Sequence, residues 1–349
     1  MGLNPSSALR VAVRATNWLG DAVMSLPALR AVRGIFPQAH LAVIARPSVA
    51  DIYSRESCVD RVILYTGGRF AFARRLREER FDAAILFQNA FDAAFLAWRA
   101  GIPERIGYRR DGRGPLLTCA AAPPEPGEIP RHERFYYLEL LRRAGLIEQF
   151  PECEAIRLDG IPAARAAGER RLAAMGIHGP VAGISPGAAY GGAKRYERFA
   201  EAGLALGDFR VVVFGAPSER ELCESVASRI PGAHNLAGRT TLGEFVELAA
   251  ACRVFLTNDS GSMHVASALG VPTVAVFGAT DDTTTGPTGP LARVVREHAE
   301  CAPCLLRECP IDHRCMTRVA PERVAAVARE LVECAEQQCQ PPINADERR

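Results

Sequence analysis

Residues 254–278, VFLTNDSGSMHVASALGVPTVAVFG, read as an apolar strand, a tight polar turn at Asn258-Asp259-Ser260-Gly261, a helix from Ser262 to about Leu269, a stop at Gly270 and a second apolar strand. Two buried-type strands joined by one short helix make a βαβ unit, and such units build parallel sheets with helices on their faces. The first N–H groups of the helix lack intrahelical partners, and the aligned peptide dipoles favour an anion there. Gly261 lets backbone approach a ligand closely. A phosphate-bearing small molecule is therefore the first expectation for this turn.

The same alternation extends outward. RVAVRA (Arg10–Ala15), LAVIAR, RVILY and AAILF read as strands separated by helical or loop segments, the first helix running from about Asp21 through Val32. Ala120–Pro130 reads as a loop, His132–Ala144 as a helix, and Pro151–Pro162 as a crossing point between domains. A second series follows: VAGIS, a helix at Glu197–Leu206, RVVVFG, a helix from about Glu219, and a helix at Leu242–Ala251. The expected fold class is α/β, with two Rossmann-like doubly wound domains, residues 1–165 and 166–349, facing across a cleft. Ligands of such sheets bind beyond the carboxyl ends of the strands.

Composition excludes little else. A chain of 349 residues with 48% hydrophobic and 23% charged content is an ordinary globular protein, and a net charge of +2 points to no nucleic acid. Arg105, Arg109, Arg110, Arg113, Arg131 and Arg134 crowd one region, readable as a polyanion dock or as a solvated loop. Arg10, Arg14 and Asp21 interrupt any signal-peptide core, and no apolar run approaches the ~18 residues of a membrane span, so a cytoplasmic location is expected. The opening MGLNPS formally fits an acylation pattern. Of eleven cysteines, Cys301, Cys304, Cys309 and Cys315 have the spacing C-x2-C-x4-C-x5-C around His313, readable as a structural zinc site or as a thiol-rich loop without metal.

Most of the chemistry-bearing residues fall at strand ends. Asp21 opens the first helix, where it complements the dipole or accepts a proton from a substrate hydroxyl. SPGAAYGGAKRY (Ser185–Tyr196) places Lys194 and Arg195 after the glycines Gly187, Gly191 and Gly192, suiting a phosphate, although the order is not that of a P-loop. The first half lacks GxGxxG, which argues against a dinucleotide dehydrogenase. Glu219 follows RVVVFG and either accepts from ribose hydroxyls or only opens a helix. Thr240 precedes Thr241, which with Glu244 has capping-box spacing. A carboxylate repels pyrophosphate, so Asp259 caps its helix or binds a sugar hydroxyl. Ser260, Gly261 and Ser262 offer donors, and His264 in the first turn is within reach of an anion.

NWLGDAVMSLPAL, SPGA…AKRY, FGAPSERE, TNDSGSMHVASALGVPTVAVFGATD and CAPCLLRECPIDHRCM together resemble the lipopolysaccharide heptosyltransferases, glycosyltransferase family 9, over nearly the whole chain. The cysteine-rich tail tilts the resemblance toward type II members over type I. The resemblance implies a GT-B fold and inverting, metal-independent transfer of L-glycero-D-manno-heptose from ADP-heptose, with no catalytic cofactor. It implies as acceptor the first heptose of the inner core on Kdo-modified lipid A, an anionic lipid met by peripheral contact with the inner membrane. It further implies Asp21 as catalytic base and Lys194 on the donor phosphates. Ser185 and Gly187 would line the donor site, with Glu219 at the nucleoside and Thr240 at the adenosine pocket. Asp259, Ser260, Gly261, Ser262 and His264 would hold donor sugar and pyrophosphate. A sugar-nucleotide epimerase of like architecture and a non-catalytic binding protein are the rival expectations.

Overall fold

The computed structural model describes residues 9–339; the MGLNPS opening lies outside them. The chain divides between Gly160 and Ile161 into two units. The first carries strands β1 (Arg10–Arg14), β2 (His40–Ala45), β3 (Arg61–Leu64), β4 (Ala83–Leu86), β5 (Glu104–Tyr108) and β6 (Cys119–Ala121). Its helices are α1 (Leu19–Met24), α2 (Leu26–Ile35), α3 (Pro47–Tyr53), α4 (Arg69–Glu78), α5 (Phe91–Arg99) and α6 (Arg134–Arg143). The second carries β7 (Val181–Ser185), β8 (Arg210–Val213), β9 (His234–Asn235), β10 (Val254–Asn258), β11 (Thr273–Val276) and β12 (Ala292–Val295). Its helices are α7 (Ile161–Ala174), α8 (Phe199–Ala205), α9 (Arg220–Ala227), α10 (Leu242–Ala250), α11 (Gly261–Ala268), α12 (Asp282–Thr285), α13 (Arg314–Thr317) and α14 (Pro321–Cys339).

Both sheets are wholly parallel and share one topology. The first runs β3-β2-β1-β4-β5-β6 and the second β12-β11-β10-β7-β8-β9. Counted within its own unit, each is the doubly wound order whose direction reverses between the first and fourth strands. There the neighbouring connections leave toward opposite faces and open a crevice at the carboxyl edge. The switch points lie between β1 and β4, paired Val11↔Ala83, and between β7 and β10, paired Ala182↔Val254. Central strands buried on both faces explain the uninterrupted apolar runs: β4, β7, β10 and β11 are buried at every position.

The expected first helix is two. Pro27 lies in the first turn of α2, where its missing N–H costs nothing, and the break falls at Ser25. Ser25 is fully buried; its hydroxyl donates to the Ala22 carbonyl at 2.8 Å and lies 3.2 Å from Tyr53 Oη. The stretch read as an arginine-rich loop contains β5, and Ala120, placed in a loop, lies in β6. β5 opens on two charged residues and β6 is an edge strand of only three, so their periodicity is weak.

Candidate functional site

Asp21 sits at the carboxyl edge of the first sheet, in the opening turn of α1. Its carboxylate is largely withdrawn from water, and among the described residues no hydrogen bond or ion pair is found for it. Desolvation alone pushes its pKa from 3.8 up to about 6. Glu133, which precedes α6, is also pushed upward, first by desolvation and then by the negative charge of Asp21, while Arg110 opposes the rise. An unpaired carboxylate with an elevated proton affinity is suited to accept a proton near neutral pH.

The second switch point gathers more groups. Ser185 ends β7, and Asn258 ends β10. Asn258 is fully buried and sews the two following loops together: its Nδ2 donates to the Pro186 carbonyl at 2.7 Å, and its Oδ1 accepts from the Tyr196 N–H at 2.9 Å. This clamp brings Lys194 to Asp259, with Nζ 2.5 Å from Oδ2 and side chains 12% and 5% exposed. Thr280, just beyond β11, donates to the same oxygen at 2.6 Å. Asp259 therefore does not cap α11; Ser260 occupies the N-cap position without a side-chain cap bond. The Ser260 and Ser262 hydroxyls lie 2.7 Å apart, each 3.1 Å from Thr257 Oγ1. Lys194 is thus tied to the residue that immediately precedes the N-cap of α11, a placement suited to an anion.

Glu219 lies half-buried beyond β8, accepting the Ala216 N–H at 2.8 Å. Its carboxylate presses on Gly187, where a Cβ would meet Oε1 at 2.0 Å, so only glycine admits this approach. Gly238 donates to the Gly215 carbonyl at 2.9 Å, drawing the loop of half-buried Thr240 toward the strand end that precedes Glu219. The Thr241–Glu244 capping box is present, with Glu244 N–H to Thr241 Oγ1 at 3.2 Å and Thr241 N–H to Glu244 Oε2 at 2.8 Å. Ser185 at the end of β7, and Gly187, Lys194, Glu219, Thr240, Asp259, Ser260, Gly261 and Ser262 in the connections that follow their strands, thus share one sheet edge. His264 is only 4% exposed within α11, and Asp21 belongs to the other unit.

Of the two readings of the cysteine-rich segment, the structural zinc site is overturned. Among the described residues, no three or more His, Cys, Asp or Glu side chains converge where a metal ion could be held. Cys301 is exposed, Cys304 and Cys309 are half-buried, and Cys315 is buried against Gly278, where a Cβ would come within 2.8 Å of its Sγ. The segment instead straps the Lys194 loop. The Arg307 carbonyl accepts from Ala193 N–H at 2.9 Å, Glu308 Oε1 from Gly192 N–H at 3.0 Å, and the Leu305 carbonyl from Tyr190 Oη at 2.7 Å. His313 Nε2 lies 2.9 Å from the Ala193 carbonyl, and the Tyr190 ring centroid is 4.7 Å from Lys194 Nζ. Sequence reasoning missed Tyr190, Thr280 and this strap. Thr280 carried one usable signal, its place just after a parallel strand.

The arginine cluster also divides. Arg113 is fully buried, bonded to the Gln88 and Tyr108 carbonyls and to Asn89 Oδ1. Arg105 holds the carbonyls of Leu116, Ile102 and Pro103, and Arg134 that of Glu154. These three hold loops in place, whereas Arg109 and Arg110 are exposed.

Comparison with known proteins shows what the chain is similar to. The family model for glycosyltransferase family 9 (heptosyltransferase) matches residues 69–314. Lipopolysaccharide heptosyltransferase 2 of Salmonella typhimurium and that of Escherichia coli are each 31% identical over 316 residues, covering 82% of this chain and 88% of theirs. The solved structure of the E. coli ADP-heptose LPS heptosyltransferase II superposes with a TM-score of 0.80 at 29% identity, covering 94% of this chain and all of that one. The paired Rossmann-like units are of GT-B type.

Proposed function

The chain belongs to glycosyltransferase family 9, the heptosyltransferases, and from that premise we propose that it moves L-glycero-D-manno-heptose from ADP-heptose to the first heptose of the lipopolysaccharide inner core. The acceptor is then carried on Kdo-modified lipid A, an anionic lipid that the enzyme meets at a membrane face. The first unit handles the acceptor and the second the donor.

The observation that carries this reading is the ammonium of Lys194 tied to the residue that precedes the N-cap of α11, at the second switch point. ADP leaves with its diphosphate charge, and an oriented cation with unpaired N–H groups stabilises that charge as it develops. Asp259 and Thr280 keep Lys194 extended until the diphosphate takes over part of its bonding. Glu219 suits the ribose hydroxyls, and Thr240 the base. Asp21 removes the proton from the acceptor hydroxyl as its oxygen bonds to the anomeric carbon and the bond to the diphosphate breaks, which inverts that carbon.

The test is incubation with ADP-heptose and a truncated core acceptor ending in one heptose. ADP release that depends on acceptor, with the mass of the acceptor raised by one heptose, is the expected result. Release of ADP or free sugar without acceptor would overturn the reading.

A further inference from the structure

We propose that the outer face of α4 and α5 is a docking surface for an anionic phospholipid bilayer. The inward side chains of this helix pair, Phe72, Ala73, Leu76, Ala94, Leu96 and Ala97, fill the core against β1, β2 and β4. The outward side carries a second, separate group of aromatics. Phe70 is 66% exposed, Trp98 48% and Phe91 44%. They converge on half-buried Phe95, whose ring centroid lies 5.7 Å from Phe70, 6.3 Å from Phe91 and 6.0 Å from Trp98. Contiguous exposed aromatics on a water-facing helix pair are unfavourable unless something covers them.

The charge around them says what that is. Residues 69–80, RFAFARRLREER, hold five arginines against two glutamates, and Glu79 is already engaged by Arg10 and Arg61. Asp92, the acid at the start of α5, accepts from Tyr65 at 2.6 Å and lies 3.8 Å from Arg69, whose guanidinium also sits 5.9 Å from the Phe95 centroid. The arginines Arg74, Arg80 and Arg99 are exposed. Aromatic rings amid guanidinium groups match the headgroup region of an acidic membrane, where rings settle at the interface and arginines fork onto phosphate oxygens. Among the described residues no helix is long and apolar enough to cross a membrane, so this contact is peripheral. The surface also fits the site: α5 begins after β4, next to β1, at the carboxyl edge that carries Asp21. The reason for meeting a membrane rests on the lipid-acceptor reading; the surface itself does not.

The experiment is co-sedimentation of the full chain with vesicles of phosphatidylcholine alone or mixed equally with phosphatidylglycerol. Wild type is expected on the mixed vesicles only, less at high salt. Phe70→Ser with Trp98→Ser, and separately Arg74→Glu, should each lower partitioning about tenfold or more. Melting temperature and transfer to a delipidated, soluble core acceptor should stay at wild-type levels. Equal partitioning of wild type and variants, or no preference for the anionic vesicles, overturns the proposal. So does a dimer on size exclusion that Trp98→Ser abolishes without any vesicle binding, because the face would then be a self-interface. Vesicle binding as expected with no transfer to the soluble acceptor supports the surface and sinks the lipid-acceptor reading instead.

Discussion

At the scale of single residues, Asp21 and Lys194 illustrate two opposite ways of holding a charge. Asp21 is desolvated and unpaired, with its pKa raised from 3.8 to about 6. Between those values the folded state binds the proton more tightly than the unfolded chain, so this residue's contribution to stability falls as pH rises from about 4 to 6. Asp21→Asn should therefore lower turnover by about 10²–10⁴-fold while leaving ADP-heptose binding intact. By calorimetry it should gain on the order of 1–3 kcal/mol at pH 8, a gain that fades below pH 4. Wild-type kcat/KM should have an acidic limb near pH 6, read from a pH–rate profile. Lys194 is instead compensated by nearly buried Asp259. Lys194→Ala should weaken donor binding and rate together and destabilise the fold by about 2–4 kcal/mol, because the carboxylate loses its partner. Adding Asp259→Asn should restore the melting temperature but not turnover; restored turnover would contradict the role given to the ammonium. The candidacy of both residues was legible from strand-end position and residue type, but their pairing state was not, since it depends on what the rest of the chain packs around them.

Elements show where local signals carry and where they stop. The βαβ unit at 254–278 and the capping box of α10 are legible because they depend on near neighbours: apolar runs, glycine stops and a threonine three residues before a glutamate. The contact of Gly187 with Glu219 joins the connection after β7 to that after β8, and no local pattern announces it. Gly187→Ala should displace the Glu219 carboxylate and raise Kd for ADP-heptose about tenfold, whereas in a Glu219→Ala background the same change should add little; isothermal titration of the four proteins measures the coupling. The cysteine-rich segment is the counter-example. Its spacing is readable as metal ligands, yet Leu305, Arg307 and Glu308 use their backbone and side chain to brace the glycine loop, and among the described residues the thiols form no group that could hold a metal ion. Spacing along a chain fixes the reach of four sulfurs but not the direction in which each points. Arg113 makes the same point, since a residue read as surface charge is wholly inside the first unit, bonded to carbonyls.

For the whole molecule, two units with one topology each carry a switch point, with a desolvated carboxylate, Asp21, in the first and the Lys194–Asp259 pair beside a helix start in the second. If Lys194 and the α11 N-terminus carry the leaving-group charge as proposed, chelation should change nothing: EDTA-treated protein should keep its transfer rate and its melting temperature. Loss of rate with the melting temperature intact would contradict the metal-free chemistry, and a lowered melting temperature would point to a structural metal. The sequence by itself determined the parallel α/β class, the presence of two such series and the strand-end addresses of the candidate residues, because strand and helix periods, glycine turns and helix starts are properties of neighbours in the chain. The tertiary structure alone decided which strands flank each switch point, that Lys194 rests on Asp259, that the Asp21 carboxylate finds no partner among the described residues, and that Arg105, Arg113 and Arg134 tie loops internally. Those facts depend on contacts between residues tens of positions apart, whose solvation and direction exist only once the sheets are assembled.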